Sequence, residues 1–115
     1  MCQMFAGQDP ATYAFETRSV RLMGHPTSVR LEARFWQTVE EIAAMQGMPL
    51  PKFLTKLYEE ALELHGEVTN FASLLRCCCL VYLAGDFDHA RFRDEAALAR
   101  TGASVKQRLG GVVAA

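Results

Sequence analysis

Thr27-Ser28-Val29-Arg30-Leu31-Glu32 decides the fold of this chain. Apolar Val29 and Leu31 alternate with polar Ser28, Arg30 and Glu32. That period of two puts two aliphatic side chains on one face of a strand and a hydroxyl and a guanidinium on the other. A helical pattern starts directly behind it, near Ala33. A single short strand feeding two helices is expected to have no partner within its own subunit, and it makes no sheet alone. The main expectation is its own copy in a second chain, giving a two-stranded intermolecular ribbon. A local neighbour is also on offer. Ser19-Val20-Arg21-Leu22 recurs nine residues later as Ser28-Val29-Arg30-Leu31, and Gly24-His25-Pro26 between the copies is a turn signal, so the two segments suit a hairpin.

Three helices follow. Phe35, Val39, Ile42 and Ala43 mark the apolar stripe of a first helix from about Ala33 to Gln46, with Trp36 at its edge and Gly47 as its stop. A second begins near Leu50 or Pro51, where proline suits the first turn, buries Phe53, Leu54, Leu57, Tyr58, Ala61 and Leu62, and ends at Gly66. A third runs from Asn70, a good N-cap, to Ala84, with Gly85 after it. Phe71, Leu74, Leu75, Cys78 and Tyr82 line one side, but from Cys77 to Ala84 apolar residues occupy every side. Such a helix is a buried one, and in so small a protein this predicts packing against another subunit. Residues 1–16 read as an arm of weak structural preference, 17–84 as the folded domain, and 85–115 as an extension with a short helix near Ala90 to Arg100.

The chain has 115 residues, 50% of them hydrophobic and 22% charged, which suits one small globular domain. No apolar run approaches the roughly 18 residues of a membrane span. Met1 to Met4 lacks a basic region followed by an apolar stretch, so no secretory signal is read. Adjacent cysteines on a helix point about 100° apart. Cys77, Cys78 and Cys79 therefore suit neither a shared metal ion nor a disulfide framework, and read as small apolar side chains in a reducing compartment, the cytoplasm. No cofactor site is read. His25 is a turn residue, and Asp86 and Asp88 flank a solvated helix exit. With no glycine-rich phosphate loop and no nucleophile elbow, the chain does not read as an enzyme.

Net charge is −1, but it is polarised. Thr17 to Trp36 holds four arginines and one acid, a net of +3, whereas Gln37 to Glu67 holds two lysines and six acids, a net of −4. A basic strand region backed by acidic helices would turn the strands toward phosphates. A two-stranded ribbon is also the shape that enters a DNA major groove.

Two blocks carry a family resemblance. One is Val20-Arg21-Leu22-Met23-Gly24-His25-Pro26-Thr27-Ser28-Val29-Arg30-Leu31-Glu32-Ala33-Arg34-Phe35-Trp36. The other is Asn70-Phe71-Ala72-Ser73-Leu74-Leu75-Arg76. Together with the order strand, helix, glycine turn, helix, they resemble a bacterial branch of the ribbon-helix-helix (Arc/MetJ-type) superfamily. The resemblance implies a mainly α fold with a short β-ribbon and an extra helix. It also implies a homodimer that binds double-stranded DNA at palindromic operators as a transcription regulator or repressor in a bacterial cytoplasm; whether two dimers join into a tetramer through the apolar third helix is left open by the sequence.

Under that resemblance Ser28 and Arg30 contact bases, with Pro26 or Thr27 at the edge. Arg30 has the planar fork that bonds guanine O6 and N7 together. Glu32 would accept from cytosine but repel phosphate. Backbone contacts fall to Arg18, Arg21, Thr27, Arg34, Leu50 and Lys52. The family's Gly-x-Ser/Thr phosphate clamp is replaced here by Gly47-Met48-Pro49-Leu50-Pro51-Lys52, which leaves the amides of Leu50 and Lys52 at the helix start. The dimer core is Val29, Leu31, Phe35, Trp36, Val39, Ile42, Phe53, Leu54 and Leu57. The competing reading is a protein–protein adaptor, or an antitoxin-like subunit, that keeps the dimer fold without strong DNA binding.

Overall fold

The computed structural model describes residues 2–85 and 91. Its elements are α1 (Cys2–Ala6), α2 (Pro10–Tyr13), β1 (Phe15–Leu22), β2 (His25–Glu32), α3 (Ala33–Met45), α4 (Leu50–His65) and α5 (Phe71–Ala84). Arg91 apart, the helix expected near Ala90 to Arg100 lies outside the described residues, as do Asp86 and Asp88.

β1 and β2 form one antiparallel ribbon, paired from Phe15↔Glu32 to Leu22↔His25. The Val29 strand therefore has a neighbour within its own chain, against the expectation that it would have none there. The repeated tetrapeptide is the reason: it supplies a second strand of the same alternation, and Ser19 falls opposite Ser28. The turn is tighter than Gly24-His25-Pro26. Its two residues are Met23 and Gly24, with φ of 52° and 83°, the left-handed pair of a type I′ turn, whose twist matches that of the strands. His25 and Pro26 already belong to β2. Methionine is strained in that conformation, where asparagine is at home. Met23→Asn is therefore expected to raise stability by about 0.5–1 kcal/mol, read as a higher urea midpoint at unchanged slope.

The helices begin and end where their chemistry directs. Past α3, the Gly47 amide bonds the Ala44 carbonyl and the Met48 amide bonds that of Ala43, both at 3.0 Å, which closes the helix and folds Met48 into the core. Pro49 and Pro51 flank the start of α4, and Gly66 in the left-handed region ends it. The Asn70 side chain accepts from the Ser73 amide at 3.1 Å and caps α5. Residues 2–13, read as weakly structured, carry α1 and α2 instead; Asp9 caps α2 by accepting from the Ala11 amide at 3.0 Å, and Pro10 pre-sets its first turn.

The core joins Leu22, Val29 and Leu31 of the ribbon to Trp36, Val39, Ile42 and Ala43 of α3, Phe53 and Leu54 of α4, and Leu75 and Cys79 of α5. Trp36 is fully enclosed rather than at the stripe's edge, while Phe35 is only partly covered. The indole explains the exchange: its Nε1–H donates to the Glu16 carbonyl at 2.8 Å, so the ring lies under β1. Leu57, also expected in the core, packs against its margin. On α5 the all-round apolar pattern does not mean all-round burial within one chain, because Leu80, Val81 and Leu83 are 60%, 45% and 63% exposed.

Candidate nucleic-acid interface

Pairing decides which side chains share a face. Val29 and Leu31 point into the core, so Thr27, on the same side of β2, points inward too. The opposite face carries Pro26, Ser28, Arg30 and Glu32 from β2, and Phe15, Thr17, Ser19 and Arg21 from β1. Apart from the half-buried Glu32, all of these are exposed. The result is a hydroxyl-rich, cationic surface backed by an aliphatic one.

Arg30 is held in place. Its guanidinium lies 4.0 Å from the centroid of the Phe15 ring, across the ribbon diagonal, an arrangement that leaves its donors free while fixing its plane. Arg21 shares the face near the turn, where its Nη1–H donates to the Gly24 carbonyl at 3.2 Å. Glu32 is neutralised from behind. Arg76 on α5 approaches its Oε1 through both Nε and Nη2 at 3.0 Å, so the acid that would repel phosphate faces a cation of its own.

The remaining residues assigned to DNA fall elsewhere. Arg18 sits on the core side of β1, bonded at 2.6 Å to both Glu16 and Glu40 and stacked 4.6 Å from the Trp36 ring. The Glu40 carboxylate, then Glu16, holds its pKa above the usual arginine value despite partial burial. Arg18 therefore ties the ribbon to α3. Thr27 Oγ1–H donates to the His25 carbonyl at 3.2 Å. Arg34 lies on α3, where its Nη1–H donates to Gln8 Oε1 at 3.2 Å. Leu50 is half-buried and Lys52 exposed in the first turn of α4. That helix meets β1 near the turn, where the Thr55 hydroxyl donates to the Arg21 carbonyl at 2.9 Å. Sequence reasoning missed Phe15, Thr17 and Ser19. Aligning the two SVRL segments about a two-residue turn would have put all three on the face of Arg30.

Beneath the other edge of β2 lies a groove of about 770 Å³. Tyr58, Leu62, Val68 and Phe71 supply much of its lining, and the Tyr58 and Phe71 rings meet edge to face at 5.5 Å. The three consecutive cysteines grade from exposed Cys77 through half-buried Cys78 to buried Cys79. Burial, with a smaller contribution from the neighbouring thiol, pushes both Cys78 and Cys79 up to about 11. They are protonated, unreactive side chains at neutral pH.

A two-stranded ribbon, two core helices behind it and a polar, cationic outer face define a class, and the family comparison agrees with it. The model of the ribbon-helix-helix domain matches residues 15–83, and the chain belongs to that family. The family's proteins are generally DNA-binding transcription regulators or antitoxins. Among solved structures, an uncharacterized protein from Bordetella pertussis Tohama I is similar at 36% identity, with a TM-score of 0.72 over 96% of this chain and 88% of that one. No curated protein matches the chain. No helix among the described residues is long and apolar enough to cross a membrane.

Proposed function

We propose that this protein is a homodimeric, sequence-specific DNA-binding regulator that presents the outer face of its ribbon to the major groove. The observation that carries this reading is the segregation of β2: Val29 and Leu31 are buried while Ser28 and Arg30 stand exposed on the other side, with Arg30 steadied by Phe15. A guanidinium held in one plane loses less freedom on pairing with a guanine edge. Arg21 on the same face and Lys52 at the head of α4 supply phosphate contacts, whereas Arg18 is committed to Glu16 and Glu40.

Selection of bound sequences from random duplex DNA tests the proposal, and a two-fold symmetric motif is the expected result. Retention of no preferred sequence at low salt would overturn it. Arg30→Ala is expected to relax the preference at one position per half-site by about 1–3 kcal/mol. Arg21→Ala or Lys52→Ala should weaken binding to all sequences alike and lower the salt slope by about one. Filter binding across a salt series separates the two behaviours. A second reading, an adaptor of the same fold, has one observation in its favour, the bare Leu80, Val81 and Leu83 of α5. In that case the selection experiment returns no motif.

A further inference from the structure

One large aromatic side chain stands on the polar face of the ribbon. Phe15 opens β1 and is 54% exposed, although a guanidinium already covers part of its ring. Single exposed apolar residues are common on protein surfaces, but this one is placed by the strand register. Phe15 lies opposite Glu32, and Arg30 lies opposite Thr17. Ring and guanidinium therefore meet on the diagonal, with the Arg30 Cζ 4.0 Å from the ring centroid. Glu32, two residues from Arg30 on the same face, does not compete for that guanidinium, because Arg76 takes its Oε1 through Nε and Nη2 at 3.0 Å. Among the described residues no hydrogen bond or ion pair engages the Arg30 guanidinium. Its neighbour is the ring, and its donors are left for a ligand.

We infer that Phe15 itself reads sequence: it contacts the 5-methyl group of a thymine in the base pair next to the guanine that Arg30 bonds. This contact presupposes the DNA-binding regulator proposed above, and adds to it a residue of β1 and a second base-pair position. Two lengths carry it. A guanidinium that bonds O6 and N7 together lies in the plane of its guanine. A ring stacked flat on that guanidinium is then 4.0 Å away along the duplex axis, close to the rise of about 3.4 Å between neighbouring base pairs. The phenyl group thereby comes level with the adjacent pair, at its major-groove edge.

Chemistry then chooses the base. The carbonyl, ring nitrogen and amino groups along that edge are hydrogen-bonding groups, and a phenyl ring laid against them would remove their water without replacing it. The thymine methyl is the apolar substituent there. Arg30 and Phe15 thus act as a unit: the stack fixes the plane of the fork, and the fork sets the level of the ring.

Modified DNA tests this with the unaltered protein. The probe is the duplex recovered by selection from random sequence, and the guanine of Arg30 is located as the position where Arg30→Ala relaxes the preference. An A·T pair is expected beside it. Replacing that thymine by deoxyuridine keeps every hydrogen bond of the pair and removes only the methyl. Binding should weaken about fourfold, the contribution of one buried methyl group. Phe15→Ala should bind the thymine and uracil duplexes equally; because the variant is compared with itself, any general loss from a loosened Arg30 cancels. Equal binding of the two duplexes by the unaltered protein overturns the contact, as does a motif indifferent to the base beside the guanine. A uracil penalty that survives in Phe15→Ala overturns it too, since another residue then meets the methyl. These three results leave a selected motif, and with it the regulator, in place. A selection that returns no motif removes the regulator and the contact together, so the two failures are told apart.

Discussion

Replacing Leu31 by aspartate should leave the chain with no measurable folded population in water. Leu31 is 0% exposed within a single chain, enclosed by residues of the ribbon and of the helices behind it. Truncation alone is costly, about 3 kcal/mol for Leu31→Ala from lost apolar contact and the residual cavity. A carboxylate in the same place adds desolvation that no cation relieves, because the neighbouring Arg18 is engaged with Glu16 and Glu40. The sum reaches the total stability of a small domain. Circular dichroism in a urea series checks the Ala variant, and its loss should not depend on protein concentration, because the site is closed within one chain. A folded monomer of Leu31→Asp in sedimentation would refute the assignment.

Trp36→Ala comes next, with an expected loss of about 3–5 kcal/mol. The indole fills the space beneath β1, donates to the Glu16 carbonyl at 2.8 Å, and carries the Arg18 guanidinium on its face. The ring is thus the joint between ribbon and α3. Trp36→Phe keeps much of the volume and loses the donated bond, so its cost should be nearer 1 kcal/mol. If the two variants unfold at the same urea midpoint, the volume account of this position is wrong.

These two residues also show how much of the fold was legible. Alternation at Val29 and Leu31 identified the strand and its buried face from side-chain period alone. Gly47, Gly66, Asn70 and Gly85 marked helix ends because each of those positions has local backbone chemistry. The partner of the strand was harder. Pairing is a non-local choice, and the sequence offered two neighbours; the tight Met23-Gly24 turn decided it, although methionine is a poor signal for a left-handed residue. Trp36 was counted in the core but set at the edge of the α3 stripe rather than at its centre, for a related reason. A helical wheel ranks positions against one direction of burial, but α3 is covered by the ribbon on one side and by α4 and α5 on others.

The candidate site was legible where it follows from alternation and obscure where it follows from register. Ser28 and Arg30 stand on the outer face as their spacing requires, and Thr27, one residue away, necessarily faces inward. Arg18 could not be told from Arg21 by charge, yet their odd spacing puts one over Trp36 and the other beside Gly24. Phe15 went unnoticed because its value depends on standing diagonally across from Arg30, a relation visible only once the strands are in step.

Because the hairpin closes inside one polypeptide, the pairing of β1 with β2 needs no second molecule. In the homodimer proposed above, dissociation would then separate two chains that each keep their own ribbon, and protein level would set how many assembled units exist.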